Sequence, residues 1–275
     1  MMRFEQIGGA LGADVHGIDL AEPLSPRQVL QIRRELNRHQ VLFFREQSIL
    51  TKAQQLALAC HFGEPEPPPF HNQGPDKNGR GEPVLDLDQT DPRGSQAANF
   101  HSDNTFRAEP PIGALLQAHV LPIRGGDTCF ASTHAAFEGL SKGMQRYLEG
   151  LNAWHSLAQM AARLSRPGGP ALAIDGSQFP PHRHPVVARH PFTGRKLLNV
   201  NYNWTTHIDG IPTAESAAIL DFLYAHIRSP EFQVRLKWNV GDMAFWDNRA
   251  TQHYAVPDYR ERRVMQRVSI LPRSD

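Results

Sequence analysis

Asn99-Phe100-His101-Ser102-Asp103 is the stretch on which the reading of this chain turns. It sets an imidazole and a carboxylate two residues apart. On a strand, positions i and i+2 face the same way, so both side chains reach one metal ion from one side. A second imidazole from far along the chain, His253, would complete two histidines and one carboxylate on one face of the ion. That donor set leaves the opposite face open and suits non-haem Fe(II) and oxygen chemistry. With 14 histidines in the chain, a lone His-x-Asp also fits a surface loop or a hydrogen-bonded strand pair, so the surroundings have to decide.

The 275 residues suffice for one large domain or two small ones. A formal net charge of +1 and the lack of any basic run argue against nucleic-acid binding. No apolar segment is long enough to span a membrane. Met1-Met2-Arg3-Phe4-Glu5-Gln6 leads into polar, glycine-rich sequence and does not read as a signal peptide. The two cysteines, Cys60 and Cys129, have no metal-ligand spacing and make no disulfide framework, so a cytoplasmic location is expected. The 22 prolines and 21 glycines favour turns over a helical bundle.

Residues 6–20 read as a glycine-punctuated hairpin with Val15 and Ile18 turned inward. Ser25-Pro26 starts a helix whose apolar face carries Val29, Leu30, Ile32 and Leu36. Val41-Leu42-Phe43-Phe44 is a buried strand by its unbroken apolar run. Thr51-Lys52-Ala53-Gln54 is a capping box, and the helix it opens would turn Leu56, Ala59, Cys60 and Phe62 to the core. Residues 64–98 are loop-rich, with a short strand at 84–87, and lead into the His-x-Asp as a binding loop would. Ala114–Ala118 and the run after Gly125-Gly126 are strands, and Ser141 caps a helix to about Leu151. Residues 155–183, rich in proline and glycine, are a candidate mobile lid. His182 and His184 within it resemble a metal pair but read as solvated loop among prolines. Strands resume at 186–187 and 196–201, and Thr213 caps a helix carrying Ile219, Leu220, Leu223 and Ile227.

The C-terminal segment is nearly as informative. Gly241–Trp246 is a strand, Asp247-Asn248-Arg249 turns the chain, and Thr251-Gln252-His253-Tyr254 follows. Trp246, Tyr254 and Cys129 are expected in the core. In the last strand, 262–270, alternation puts Arg263, Met265 and Arg267 on one face, with Arg262 turned away. Two arginines on one face are either a solvated surface, the simpler reading, or a buried pair awaiting anions.

Taken together, these motifs resemble the taurine dioxygenase (TauD/TfdA) family of Fe(II)- and 2-oxoglutarate-dependent oxygenases. The resemblance runs from Leu11-Gly12-Ala13 to Arg267 and rests on Asn99–Asp103, Gly125-Gly126-Asp127-Thr128, Trp246-Asp247-Asn248-Arg249 with Thr251-Gln252-His253, and Arg262–Arg267. It implies a mainly β fold with flanking helices (α+β), a double-stranded β-helix or distorted jelly roll. Residues 1–275 would form a single domain, with insertions at 64–98 and 155–183. His101, Asp103 and His253 would ligate iron. Thr128 and Arg263 would hold the distal carboxylate of 2-oxoglutarate. Arg267, helped by His71, would receive the acidic group of a small organic substrate, and Trp204 would wall the pocket. O2 is the second co-substrate, and succinate and CO2 are the co-products. Asp103 favours hydroxylation, because related halogenases lack this carboxylate. A homodimer or homotetramer is expected.

The substrate would carry a sulfonate, sulfate or carboxylate. Taurine-specific members have an asparagine where this chain has Ala97, so a less polar alkyl sulfate, longer sulfonate or aryloxy acid fits better. Other readings are a biosynthetic hydroxylase or desaturase of an amino-acid-like substrate, a zinc hydrolase, and a non-enzymatic binding protein on the same scaffold.

Overall fold

The chain opens with a hairpin set earlier than the expected 6–20, β1 (Arg3–Gln6) antiparallel to β2 (Ala13–His16). In the computed structural model used throughout, residues 2–67, 81–92, 96–158, 160 and 179–273 are described. Ser25 caps α1 (Pro26–His39) through a full capping box with Gln28. Gln40 then takes a left-handed conformation and releases the chain into β3 (Val41–Phe44). Thr51 and Gln54 build the second box, at the start of α2 (Lys52–Cys60). Next come β4 (Glu64–Pro65), β5 (Val84–Gln89), β6 (Gly113–Val120) and β7 (Thr128–Ser132). Two short helices, α3 (Thr133–Glu138) and α4 (Lys142–Leu148), precede β8 (Asn152–His155), β9 (His182–Pro185), β10 (Val187–Arg189), β11 (Lys196–Leu198) and β12 (Thr205–Ile208). The long α5 (Thr213–Ile227) leads to β13 (Gln233–Leu236), β14 (Met243–Asp247), β15 (Thr251–Ala255) and β16 (Arg263–Leu271).

A large sheet runs in the order β1-β2-β3-β14-β6-β16-β4, with β5 beside β4 on the edge of β16 that faces away from β6. Facing it is a small sheet, β13-β7-β15. The unbroken apolar run of β3 follows from this layering. Val41 and Phe43 pack toward the small sheet with Phe130, Leu236 and Trp246, whereas Leu42 and Phe44 pack toward α1 and α2 with Ile32, Leu58 and Phe245. A strand buried on both faces needs no polar alternation. A third cluster joins α3, α4 and α5 to β8 and β11 through Phe137, Leu148, Leu198 and Leu223.

Several expectations shift. Leu30 is 68% exposed, because it lies nearly opposite Ile32 on α1. Cys60 is exposed, one helical step round from buried Ala59. Thr213 is the first residue of α5 rather than its cap, and Pro212 precedes it with no side-chain bond. Ser216 instead pins this helix by accepting from Ile208 N at 2.8 Å. The Ser141 helix stops at Leu148, before Gly150 at positive φ. His182 and His184 are not solvated loop: they lie in β9, paired with β8, and His184 Nε2 donates to Arg107 O at 2.9 Å. Much of 64–98 and 155–183 lies outside the described residues, and their edges belong to β4, β5, β8 and β9.

Gln117 shows what holds the large sheet to its loops. It is fully buried on β6, accepts from Leu50 N at 2.9 Å and donates to Ser48 O at 2.8 Å and Gly241 O at 3.1 Å. Gln117→Leu strands one donor and two acceptors, so urea denaturation should show a loss of about 3 kcal/mol or more.

Candidate active site

His101 and His253 are bridged backbone to backbone, His101 N to His253 O at 3.1 Å and His253 N to His101 O at 2.8 Å. Strand β15 carries His253, and the bridge lays the His-x-Asp segment alongside it. Beyond His101 the chain is not a strand: it turns at once, so the turn, rather than strand alternation, brings Asp103 round to the two imidazoles. The Nε2 atoms of His101 and His253 lie 3.6 and 3.7 Å from Asp103 Oδ1. Each of the three residues offers a donor atom, and these lie within 4.8 Å of one another. Among the described residues this is the one cluster of His, Cys, Asp and Glu with metal-binding geometry.

Every residue of the segment is tied down. His101 Nδ1 donates to Asn99 O at 2.8 Å, which fixes the tautomer and leaves Nε2 with a free lone pair. Ser102 Oγ donates to Thr251 O, and Trp204 Nε1 donates to Ser102 O, both at 2.8 Å. Asn248 clamps Asp103 from both sides, accepting from its N–H at 2.7 Å and donating to its carbonyl at 3.0 Å. Burial holds the His253 imidazole down at about 3, with Asp103 pulling up and His101 and Arg267 pushing down. Burial would raise Asp103, but Arg267, His253 and His101 overcome it and hold the carboxyl far below the usual carboxylate range. A neutral His253 and an ionised Asp103 are the protonation states that a divalent metal requires.

The last strand brings both arginines inward. Arg263 is 5% exposed and Arg267 packs over Trp246, so the solvated-face reading does not hold. The reason is position: β16 lies between β5 and β6 and turns Met265 into the core between the sheets. Arg263 Nε donates to Gly126 O at 3.1 Å, and its guanidinium sits over Tyr259. Gly126 has φ +75°, and a Cβ there would meet Arg263 Cδ at 3.1 Å, so the glycine turn and the arginine are matched. Thr128 is buried and accepts from Trp238 Nε1 at 3.0 Å, which leaves its hydroxyl hydrogen free to donate. Arg267 meets Asp103 Oδ2 at 2.6 Å and donates to Ser269 Oγ at 3.2 Å. Trp204 is buried with Phe106, Leu157 and Met160. Ala97 lies in a 3-10 turn, Gln96–Ala98. His71 lies outside the described residues.

Three buried polar atoms near this centre make no hydrogen bond: His253 Nδ1, Arg263 Nη2 and Arg267 Nε. Buried polar groups rarely go unmatched, and such a concentration fits a site built for a metal and anions.

The family model described as "Taurine catabolism dioxygenase TauD, TfdA family" matches residues 3–269. The chain belongs to this family. It is 34% identical to the alpha-ketoglutarate-dependent sulfate ester dioxygenase of Pseudomonas putida, over 96% of this chain and 87% of that protein. It is 33% identical to the alpha-ketoglutarate-dependent 2,4-dichlorophenoxyacetate dioxygenase of Cupriavidus pinatubonensis, over 94% of each. Among solved structures it superposes on AAD-2 in complex with Mn(II) and N-oxalylglycine with a TM-score of 0.83 and 28% identity, covering 99% of this chain and 98% of that one. As a TauD/TfdA member the chain is a 2-oxoglutarate-dependent dioxygenase, and the family implies a 2-oxoglutarate co-substrate and a metal.

Behind the TauD-type triad lies a polar layer that sequence reasoning missed. Thr105 Oγ1 is 2.9 Å from His155 Nδ1 and accepts from Asn201 Nδ2 at 2.9 Å, and His155 Nε2 is 3.3 Å from Thr205 Oγ1. Asp247, just before Asn248, contacts His190 and Arg249, which hold its carboxyl down at about 2 against burial. Only the threonine two residues past Asp103 hinted at this layer; the partners come from distant strands.

Burial, with His184 beside it, holds His155 down at about 3, against 6.5 for the free group. Its contribution to stability is complete above pH 6.5 and is lost as pH falls toward 3, because only the unfolded chain then takes up the proton. Metal-free protein should therefore lose about 1.4 kcal/mol per pH unit at this residue below pH 6.5. Urea titrations from pH 7 to 4.5 should show the loss, and His155→Gln should reduce the slope by one proton.

Proposed function

We propose that this protein is an Fe(II)- and 2-oxoglutarate-dependent dioxygenase that hydroxylates a small anionic organic substrate, a sulfate ester, sulfonate or aryloxy or alkyl carboxylate. The observation that carries the reading is the His101–Asp103–His253 cluster beside two inward arginines on one strand. Two imidazoles and one carboxylate on one face suit Fe(II). When bound, iron, 2-oxoglutarate and O2 supply a decarboxylation to succinate and CO2 coupled to oxygen insertion into a C–H bond.

The chain's own residues bind and orient. His101 and His253 offer Nε2 lone pairs and Asp103 offers Oδ1; hydrogen bonds hold the backbones of all three, and Asn99 O also holds the His101 ring. Arg263 has Nη2 free and Thr128 has its hydroxyl hydrogen free, and together they take the distal carboxylate of 2-oxoglutarate. Arg267, with Nε free, receives the substrate's acidic group, and His71 assists. Trp204 forms part of the aromatic wall. Ala97 offers no polar group, which disfavours a substrate bearing an amine at that point. The names of the relatives, a sulfate ester dioxygenase and a dichlorophenoxyacetate dioxygenase, support this substrate class.

The two facing sheets are read as the halves of a double-stranded β-helix, the distorted jelly roll, within a single domain over 1–275 that carries insertions at 64–98 and 155–183. The same reading carries a cytoplasmic enzyme assembled as a homodimer or homotetramer. No described helix is long and apolar enough to cross a membrane.

Anaerobic addition of Fe(II) and 2-oxoglutarate should give a weak visible charge-transfer band that needs both and disappears in His101→Ala. No band, with tight zinc binding in its place, would remove the oxygenase reading. Arg267→Ala should weaken substrate binding much more than 2-oxoglutarate binding, by about 2–5 kcal/mol for a lost buried charge partner. Equal loss of both ligands would sink the assignment of Arg267.

A further inference from the structure

Glu66 lies beside the active site, and none of the site's roles uses it. Its side chain is almost completely buried. Its backbone N–H donates to Ser269 O at 2.8 Å, two residues past Arg267 on β16. Its carboxylate pairs with Arg107 Nε at 2.8 Å and accepts from Asn104 Nδ2 at 3.1 and 3.3 Å. Asn104 directly follows Asp103 and is held at φ 48°. Glu66 is thus one contact removed from Asp103 through Asn104, and one contact removed from Arg267 through Ser269. Burial pushes its carboxyl up, while Arg107, Asn104 and Arg267 pull it back. The net direction is upward, and the Arg107 guanidinium is the partner that meets the negative charge of the carboxylate.

Burying a carboxylate is expensive, and a polar residue of the same shape could hold the Asn104–Arg107 turn without a charge. The charge itself has a consequence. Among the described residues, the ions joined to this centre are the buried Asp103, Glu66 and Arg263 with the part-buried Arg107 and Arg267, whereas Asp127 is matched by Arg235 and Asp247 by Arg249. They leave one positive charge. A divalent metal and the 2-oxoglutarate dianion cancel each other and do not alter that count. One negative charge on the substrate completes the balance, and a second would sit uncompensated in a desolvated pocket.

We propose that Glu66 sets the headgroup charge that the pocket accepts, selecting singly charged sulfates, sulfonates and carboxylates over dianionic phosphate and phosphonate monoesters of the same shape. The inference rests on the reading of Arg267 as the substrate's anchor and deepens it. Discrimination of this kind acts by leaving the wrong ligand's second charge unpaired. Glu66 touches neither substrate nor metal and is a positioning and charge-setting residue.

The test measures the binding of matched pairs, hexyl sulfate with hexyl phosphate and phenyl sulfate with phenyl phosphate, at pH 8. Binding is read by calorimetry and by perturbation of the charge-transfer band of the anaerobic Fe(II)–2-oxoglutarate complex. Wild type should favour the sulfate of each pair. Glu66→Gln keeps the shape and removes the charge, and should shift the ratio toward the phosphate by about tenfold or more, as one added charge at this range would. The double variant E66Q/R107M restores the wild-type charge count while abolishing the Glu66–Arg107 pair. Its ratio should return toward wild type, which a purely structural role for Glu66 would not produce. An unchanged ratio in Glu66→Gln, with sulfate binding still dependent on Arg267, overturns the role of Glu66 alone. A shift that persists in the double variant also overturns it, by assigning the effect to shape. If no anion of either series binds wild type, both this inference and the anchoring role of Arg267 fall.

Discussion

The two backbone hydrogen bonds between His101 and His253 are the constraint on which the site depends. They convert residues remote in sequence into neighbours and fix the depth of each imidazole relative to the other. Everything around the bridge keeps it from slipping. Asn248 holds the backbone of Asp103, Thr251 and Trp204 hold Ser102, and the polar layer of Thr105, His155 and Thr205 supports the turn from below. A backbone bridge suits this purpose because it does not depend on rotamers. Only the two torsions of each side chain are then left to set, and the bond to Asn99 O sets the ring of His101.

Strand β16 acts as the ruler of the site. Arg263 meets the glycine turn before β7, Arg267 meets Asp103, and Ser269 carries Glu66. Because the strand is paired on both sides for most of its length, these positions cannot drift relative to one another. The proposed co-substrate end, the proposed metal end and the buried acid are therefore all tied to a single element. The glycine turn completes the arrangement: Gly126 has no side chain because the Arg263 side chain fills the place where a Cβ would sit.

The electrostatics of the centre follow from burial. Ionised groups removed from water must be paired or must await a partner. Asp103 and Arg267 are paired with each other, Glu66 with Arg107, and Asp247 with Arg249 and His190. Arg263 is the exception: its ring contact with Tyr259 and its bond to Gly126 O supply no full negative charge. It is also the residue with an unbonded Nη2, which is what the proposed carboxylate partner would take up.

The sequence by itself determined the local elements and the chemistry-bearing residues. Capping boxes at Ser25 and Thr51 are local hydrogen-bond patterns, and the four apolar residues of β3 are buried wherever a strand has two covered faces. His101, Asp103, His253, Thr128, Arg263 and Arg267 were legible because they sit in short motifs of fixed order. Tertiary structure decided what depends on the partner across a gap. Whether Arg263 and Arg267 face water or the core is undecidable from alternation, since both faces of a strand alternate equally well; the neighbours of β16 settle it. His182 and His184 lie among prolines that read as loop, yet pairing with β8 makes a strand of them. Asn248 looked like a turn residue, and Glu66 looked like the start of a loop. Their work lies in contacts with Asp103 and with Asn104 and Arg107, and no spacing along the chain encodes a contact made only when distant segments pack.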